Sequence, residues 1–213
     1  MEFIPTLPVV LAYTGAVILI TLTPGPDMTL FLGKAVTQGR TAGLAAFFGA
    51  TTGVVFHTSF AAFGLSALLA ASETAFGILK IVGAGYLLWL AYQAIRHGSG
   101  LSFDPSNVVQ QPNRKVFLTG LGINLLNPKI VLFFVTFLPQ FVEPGDPHAA
   151  GKLMFLGVLF ITIAVPMCVP MILLADRVSI FVRRSPIVMR VVDWTFAGVM
   201  GAFAVKLLAA QAK

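Results

Sequence analysis

Long apolar runs separated by short polar gaps set the pattern of this chain. A bilayer span needs about 20 apolar residues at roughly 1.5 Å of rise each. Six stretches reach that length. They run from about Thr6 to Thr23 with an apolar continuation through Val36, Thr41 to Ala71, Thr74 to Ile95, Val116 to Val142, Ala149 to Ala175, and Val188 to Ala210. The longest polar gap, His97 to Lys115, leaves three stretches on either side, and no soluble domain fits anywhere. The expectation is an all-α polytopic membrane protein with six transmembrane helices. Residues 1–213 form a single transmembrane domain, with a first unit at about 5–96, a central loop at about 97–115 and a second unit at about 116–210.

Two of the stretches are interrupted at matching places. The first reads Thr23-Pro24-Gly25-Pro26-Asp27 before Met28 to Val36; the fourth reads Asn124-Leu125-Leu126-Asn127-Pro128-Lys129 before Ile130 to Leu138. Proline removes a backbone donor and clashes with the preceding turn. Non-helical backbone at membrane depth survives only where protein or a wet cavity satisfies it. Paired breaks in two halves therefore point to a binding site near the midplane.

Charge orients the runs. Lys34 and Arg40 lie between the first two. Arg96, Arg114 and Lys115 flank the central gap, and Arg177, Arg183, Arg184 and Arg190 fall between the last two. The alternate gaps hold Glu73, Glu143, Asp146 and Lys152. The excess of Lys and Arg places the three basic loops in the cytoplasm and both termini outside. The two halves then insert in opposite senses, as inverted three-helix repeats. The start, Met1-Glu2-Phe3-Ile4-Pro5, lacks the basic region of a cleaved signal, so the first run is read as retained.

Composition agrees: 57% of residues are hydrophobic and 10% charged, against about 25% charged in ordinary soluble domains. The net charge of +6 follows the loops rather than one dense face, which excludes a nucleic-acid surface. The one cysteine, Cys168, makes no disulfide and no zinc site.

The breaks also carry charge. An ionisable side chain near the bilayer centre costs roughly 2.5–3.5 kcal/mol on insertion scales, so Asp27 and Lys129 are expected to face the bundle interior. Asn127 suits the cap of a half-helix with Pro128 at its first position. The free N–H groups there, with Lys129, suit a carboxylate, and Asp27 suits an ammonium. Pro24, Gly25, Pro26, Asp27, Asn124, Asn127, Pro128 and Lys129 thus form a candidate site for a zwitterion. Two plainer readings stand beside it: Asp27 pairs with Lys129 and staples the halves, or Asp27 complements a helix N-terminus.

In the second run Ala45, Gly49, Gly53, His57 and Ala61 recur at four-residue spacing, a small-residue face for close helix contact. His57 shares that face, with Thr51 and Thr52 nearby. It is either a proton-coupling group alongside Asp27 or a neutral histidine bonded to a neighbouring helix. Lys80 either lines a pathway with Thr51 and Thr52 or snorkels outward. Pro166 and Pro170 are expected to bend the fifth run. Asp176 with Arg177, and Arg190 with Asp193, are read as solvated anchors at membrane edges. Trp89 and Trp194 fit an aromatic belt.

Together these residues resemble a known family. Thr23-Pro24-Gly25-Pro26-Asp27-Met28 is similar to the signature of the lysine-exporter/homoserine–threonine-resistance (LysE/RhtB) translocators. The likeness continues through Gln38-Gly39-Arg40, Ala42-Gly43, His57, Leu79-Lys80, Gly83-Ala84-Gly85-Tyr86-Leu87, Gly120, Asn124 to Lys129, and Phe137-Leu138-Pro139-Gln140-Phe141. It covers nearly the whole chain and weakens after Gly151. The resemblance implies a bacterial inner-membrane exporter of amino acids, driven by the proton gradient. Its partners are an amino-acid substrate, protons and lipid; homo-oligomerisation is left open, and no cofactor or metal is implied. The apolar segment Met28 to Leu32 favours a neutral substrate over a dibasic one, and the resemblance implies one of the homoserine, threonine or leucine kind.

No nucleotide-binding P-loop occurs, which fits a secondary carrier rather than an ATPase. Export of a metal cation is one alternative, but three His and one Cys lie scattered. An intramembrane enzyme is another, yet neither Gly-x-Ser-x-Gly nor His-Glu-x-x-His is present, so no catalytic residue is assigned. A purely structural subunit is the third, and buried Asp27 and Lys129 argue against an inert scaffold.

Overall fold

The computed structural model describes residues 3–65, 67, 73–97, 110–143 and 146–209. Most of the central loop therefore lies outside the described residues, as does the side chain of Lys80. Every regular element among the described residues is helical.

Prolines punctuate the chain. Helix α1 (Leu7–Leu22) opens with Pro8 in its first turn, where a missing N–H costs nothing. It stops at Thr23, which the following Pro24 biases to an extended backbone, ψ 117°. Helix α2 (Pro26–Gln38) restarts on Pro26 and ends at Gly39, whose φ of +91° suits glycine and turns the chain sharply into α3 (Arg40–Ser59). A π-helical segment, Phe60–Leu65, continues α3. Helix α4 spans Glu73–His97. Helix α5 (Asn113–Leu126) stops before Asn127-Pro128, and α6 (Pro128–Leu132) restarts there. A π segment, Phe133–Phe137, and a 3-10 turn, Leu138–Phe141, extend α6. Helices α7 (Ala149–Leu173), α8 (Ala175–Arg184) and α9 (Pro186–Ala209) complete the chain.

Both expected interruptions are present, and they are alike. The α1–α2 pair bends by 52° and the pair formed by α5 and the extended α6 by 50°. Among the described residues two helices, Arg40–Leu65 and Ala149–Leu173, are long and apolar enough to cross a membrane, or up to four if each bent pair is one span. Helices α4 and α9 have 25 and 24 residues. Outward-facing Leu7, Leu11, Phe63 and Ile187 are all exposed, so the surface is apolar where lipid would meet it.

Close approach of α3 to α5 frames the site. A Cβ on Gly49 would collide with the Phe117 backbone, and one on Gly120 with the Ala46 carbonyl. Here the small-residue face of the second run finds its partner. Behind the breaks, an aromatic cluster ties α1, the α6 extension, α7 and α9. Tyr13 meets Phe141 edge-on at 5.3 Å, Phe133 stacks on Phe137 at 4.9 Å, and Phe137 meets Phe203 at 4.4 Å. Such pairs add about 0.5–1.5 kcal/mol each beyond burial. They hold the π and 3-10 extension of α6 against α1 and α9.

Two expectations change. The segment with Arg177, Arg183 and Arg184 is not an open loop. It folds as the amphipathic helix α8, whose charged and apolar residues suit a membrane surface. Asp193 is not a solvated anchor either; it is 4% exposed, inside α9. Helix α7 runs as one element through Pro166 and Pro170. On the basic side, Lys34 donates to Gln111 Oε1 at 3.4 Å, bringing the end of α2 to the approach of α5.

Candidate functional site

Breaking a helix strands carbonyls at one end and N–H groups at the other. The second break satisfies the stray carbonyls of the first, and the two breaks also trade side-chain hydrogen bonds. The Lys129 ammonium donates to the Ile20 carbonyl at 2.8 Å and the Thr23 carbonyl at 2.6 Å, at the C-terminal end of α1. A cation there also meets the negative end of the helix dipole. In exchange, Asp27 from the first turn of α2 receives two amides from the other break. Asn124 Nδ2 donates to its Oδ2 at 2.8 Å, and Asn127 Nδ2 to the same oxygen at 3.0 Å.

Asn127 does a second job. Its Oδ1 accepts from the Lys129 backbone N–H at 3.1 Å, capping α6 with Pro128 behind it. The cap expected from sequence is thus present, and the donor it was expected to leave for a carboxylate is already engaged. Asp27 and Lys129 do not take each other as hydrogen-bond partners; each is held by neutral dipoles of the opposite break. Asp27 also lies in the first turn of α2, so the helix-dipole reading describes its position as well.

A cavity of about 80 Å³ opens against this arrangement. Asp27, Asn124, Asn127, Lys129 and Gly25 line it, with Thr51 and the apolar Phe31, Phe47, Val54 and Phe160. Three buried oxygens among its lining residues lack a hydrogen-bond partner: Asp27 Oδ1, Asn124 Oδ1 and Thr21 Oγ1. Unsatisfied buried acceptors are costly, roughly 1–3 kcal/mol each. A second cavity, about 290 Å³, adjoins the first. Pro24, Pro26 and Pro128 line it, together with Tyr86, Trp89, Gln93, Asp193 and Phe196. Thr23, Gly25, Asn127 and Lys129 line both.

His57 lines neither of these cavities. It contacts the site from behind: its Nε2 donates to the Asn124 carbonyl at 3.3 Å, and its ring stacks on Phe134 at 5.8 Å. Gly53, one turn earlier, leaves the space that the Asn124 amide occupies; a Cβ there would collide with it. Thr51 donates its hydroxyl to the Phe47 carbonyl at 2.9 Å, and Thr52, outside both cavities, to the Phe48 carbonyl at 2.8 Å.

Sequence reasoning missed Asp193, Thr21, Tyr86 and the contribution of α7 through Phe160, Ile161, Ala164 and Cys168. Asp193 carried a usable signal: it is one acid within the apolar series Val191, Val192, Asp193, Trp194. The others are ordinary membrane residues until their helices are placed.

Bent helix pairs meeting at a cavity that holds a buried carboxylate and ammonium, under an apolar exterior, are those of a multi-pass membrane protein. The chain belongs to the LysE type translocators, whose family model matches residues 10–211. It is 31% identical over 173 residues to the homoserine/homoserine lactone efflux protein of Salmonella typhimurium, covering 81% of this chain and 82% of the relative. It is 30% identical over 180 residues to a membrane protein of Vibrio cholerae, covering 84% and 87%. It is 28% identical over 145 residues to the leucine efflux protein of Salmonella choleraesuis, covering 68% of each. No solved structure matches the chain.

Proposed function

We propose that this protein exports neutral amino acids from the cytoplasm in exchange for protons. In this reading it spans the inner membrane six times, as two inverted three-helix units with both termini periplasmic. One observation carries the proposal: Asp27 Oδ1 and Thr21 Oγ1, on residues that line the same cavity, are buried without partners. An ammonium has three donors and no acceptor, which is the complement of that set. Two relatives are named for homoserine and leucine efflux. Asp27 is the one carboxylate among the residues lining this cavity, and most of the remaining lining is apolar. Both features suit a neutral side chain better than a second cationic one.

The carboxyl end of the substrate is received when Lys129 leaves the α1 carbonyls. Its ammonium already borders the cavity, and a carboxylate is a stronger acceptor than two amide oxygens. Asp27 is the group that exchanges the proton: it binds either a proton or the substrate ammonium. His57 positions Asn124 through its carbonyl. The membrane potential adds about 2.3 kcal/mol per charge per 100 mV when a proton is exchanged for a neutral zwitterion.

The test is uptake into inverted membrane vesicles under an imposed pH gradient, with labelled L-homoserine, L-threonine, L-leucine and L-lysine. The neutral compounds are expected to accumulate above L-lysine, and accumulation is expected to vanish when the gradient collapses. Gradient-independent uptake, or equal uptake from control vesicles, overturns the proposal.

A further inference from the structure

Beyond the Asp27 cavity, the larger cavity beside it has the features of a binding site in its own right. Asp193 lines it from α9 and is 4% exposed. Tyr86, from α4, lines it too, and its hydroxyl is buried without a hydrogen-bond partner. Trp89 and Phe196 add aromatic faces, and Gln93 adds an amide. A carboxylate, a phenol and aromatic rings gathered in one cavity are the chemistry that recognises an organic ammonium.

Lys129 marks the partition. It lines both cavities, and its ammonium sits 5.6 Å from the Phe196 ring centroid. Asp27 lines the first cavity beside it and Asp193 the second. Its ammonium thus already occupies cation-binding ground shared by two acidic chambers. The second chamber lies toward the basic ends of its helices: Gln93 is one turn from Arg96 on α4, and Asp193 one turn from Arg190 on α9. Under the proposed topology those ends face the cytoplasm.

We propose that the Asp193 cavity is a second, outlying binding site for the same ammonium-bearing solute. The solute docks there from the cytoplasm and passes to Asp27 when Lys129 moves aside. The inference rests on the proposed amino-acid export and adds a site and an order of occupation to it. A purely structural Asp193, serving to neutralise Lys129, binds nothing.

Equilibrium binding on the full chain in lipid nanodiscs separates these, with labelled L-homoserine and L-leucine as probes. The wild type is expected to bind two molecules per chain, and Asp193→Asn and Asp27→Asn one each. Tyr86→Phe removes only a hydroxyl and spares folding should Asp193→Asn not fold. It is expected to keep both sites and weaken one by roughly three- to tenfold, the effect of one hydrogen bond. A single site in the wild type, unmoved by Tyr86→Phe, overturns the second site and leaves the export reading standing. No binding of either probe to the wild type overturns the export reading and this inference with it.

Discussion

At the scale of single residues, the site is an exchange of charges for dipoles. Two asparagine amides hold one oxygen of Asp27, and two backbone carbonyls hold Lys129. Removing either donor leaves a buried carboxylate oxygen short of a partner. Asn124→Ala and Asn127→Ala are each expected to cost about 1.5–3 kcal/mol, the range for hydrogen bonds to charged groups, read as a lower melting temperature in detergent. Asp27→Asn keeps the shape of the site and loses the charge. It is expected to cut vesicle uptake by about tenfold or more, with membrane abundance unchanged. His57 donates to a carbonyl, a task that glutamine performs too. His57→Gln is therefore expected to retain uptake with the wild-type pH profile; a flattened profile would assign the histidine a proton-carrying role instead.

At the scale of elements, the two breaks were legible in the sequence because proline states its own effect. Pro24, Pro26 and Pro128 announce where helices must stop and restart, and Asn127 announces the cap. The partners of the charges were not legible. Lys129 binds backbone oxygens of Ile20 and Thr23, and a carbonyl carries no mark in a sequence. Asp193 was misplaced for a related reason: its position in the chain lies near a helix start, and only helix rotation turns it inward. Helix α8 was hidden because its arginines read as a loop. The glycine contacts carry a prediction of their own. Gly120→Leu drives a side chain into the Ala46 carbonyl, so α3 and α5 must separate. A loss of about 1–3 kcal/mol is expected, measurable as reduced yield of folded protein and a lower melting temperature.

At the scale of the whole molecule, the all-helical fold and the apolar exterior followed from run length alone. The family followed from the residues around the breaks, because those residues are both structural and chemical. Away from the site, Asp146 reports on the connection before α7. The Lys152 ammonium bonds its Oδ2, and the His148 backbone N–H donates to its Oδ1 at 2.7 Å. These bonds, the lysine's first, hold its carboxyl below the usual range. A carboxyl whose folded pKa is depressed stabilises the fold above its unfolded pKa, about 3.9, and that contribution fades as pH falls through the folded value. Asp146→Asn is therefore expected to flatten the fall in melting temperature below about pH 4.

The central claim is that the cavity at the breaks recognises an ammonium. Its most direct test is competition binding at the wild-type protein, comparing L-leucine with N-acetyl-L-leucine against a labelled amino acid. The acetyl group removes the positive charge and leaves the carboxylate and side chain in place. L-leucine is expected to compete and the acetylated form to fail. Equal competition by both would contradict the account.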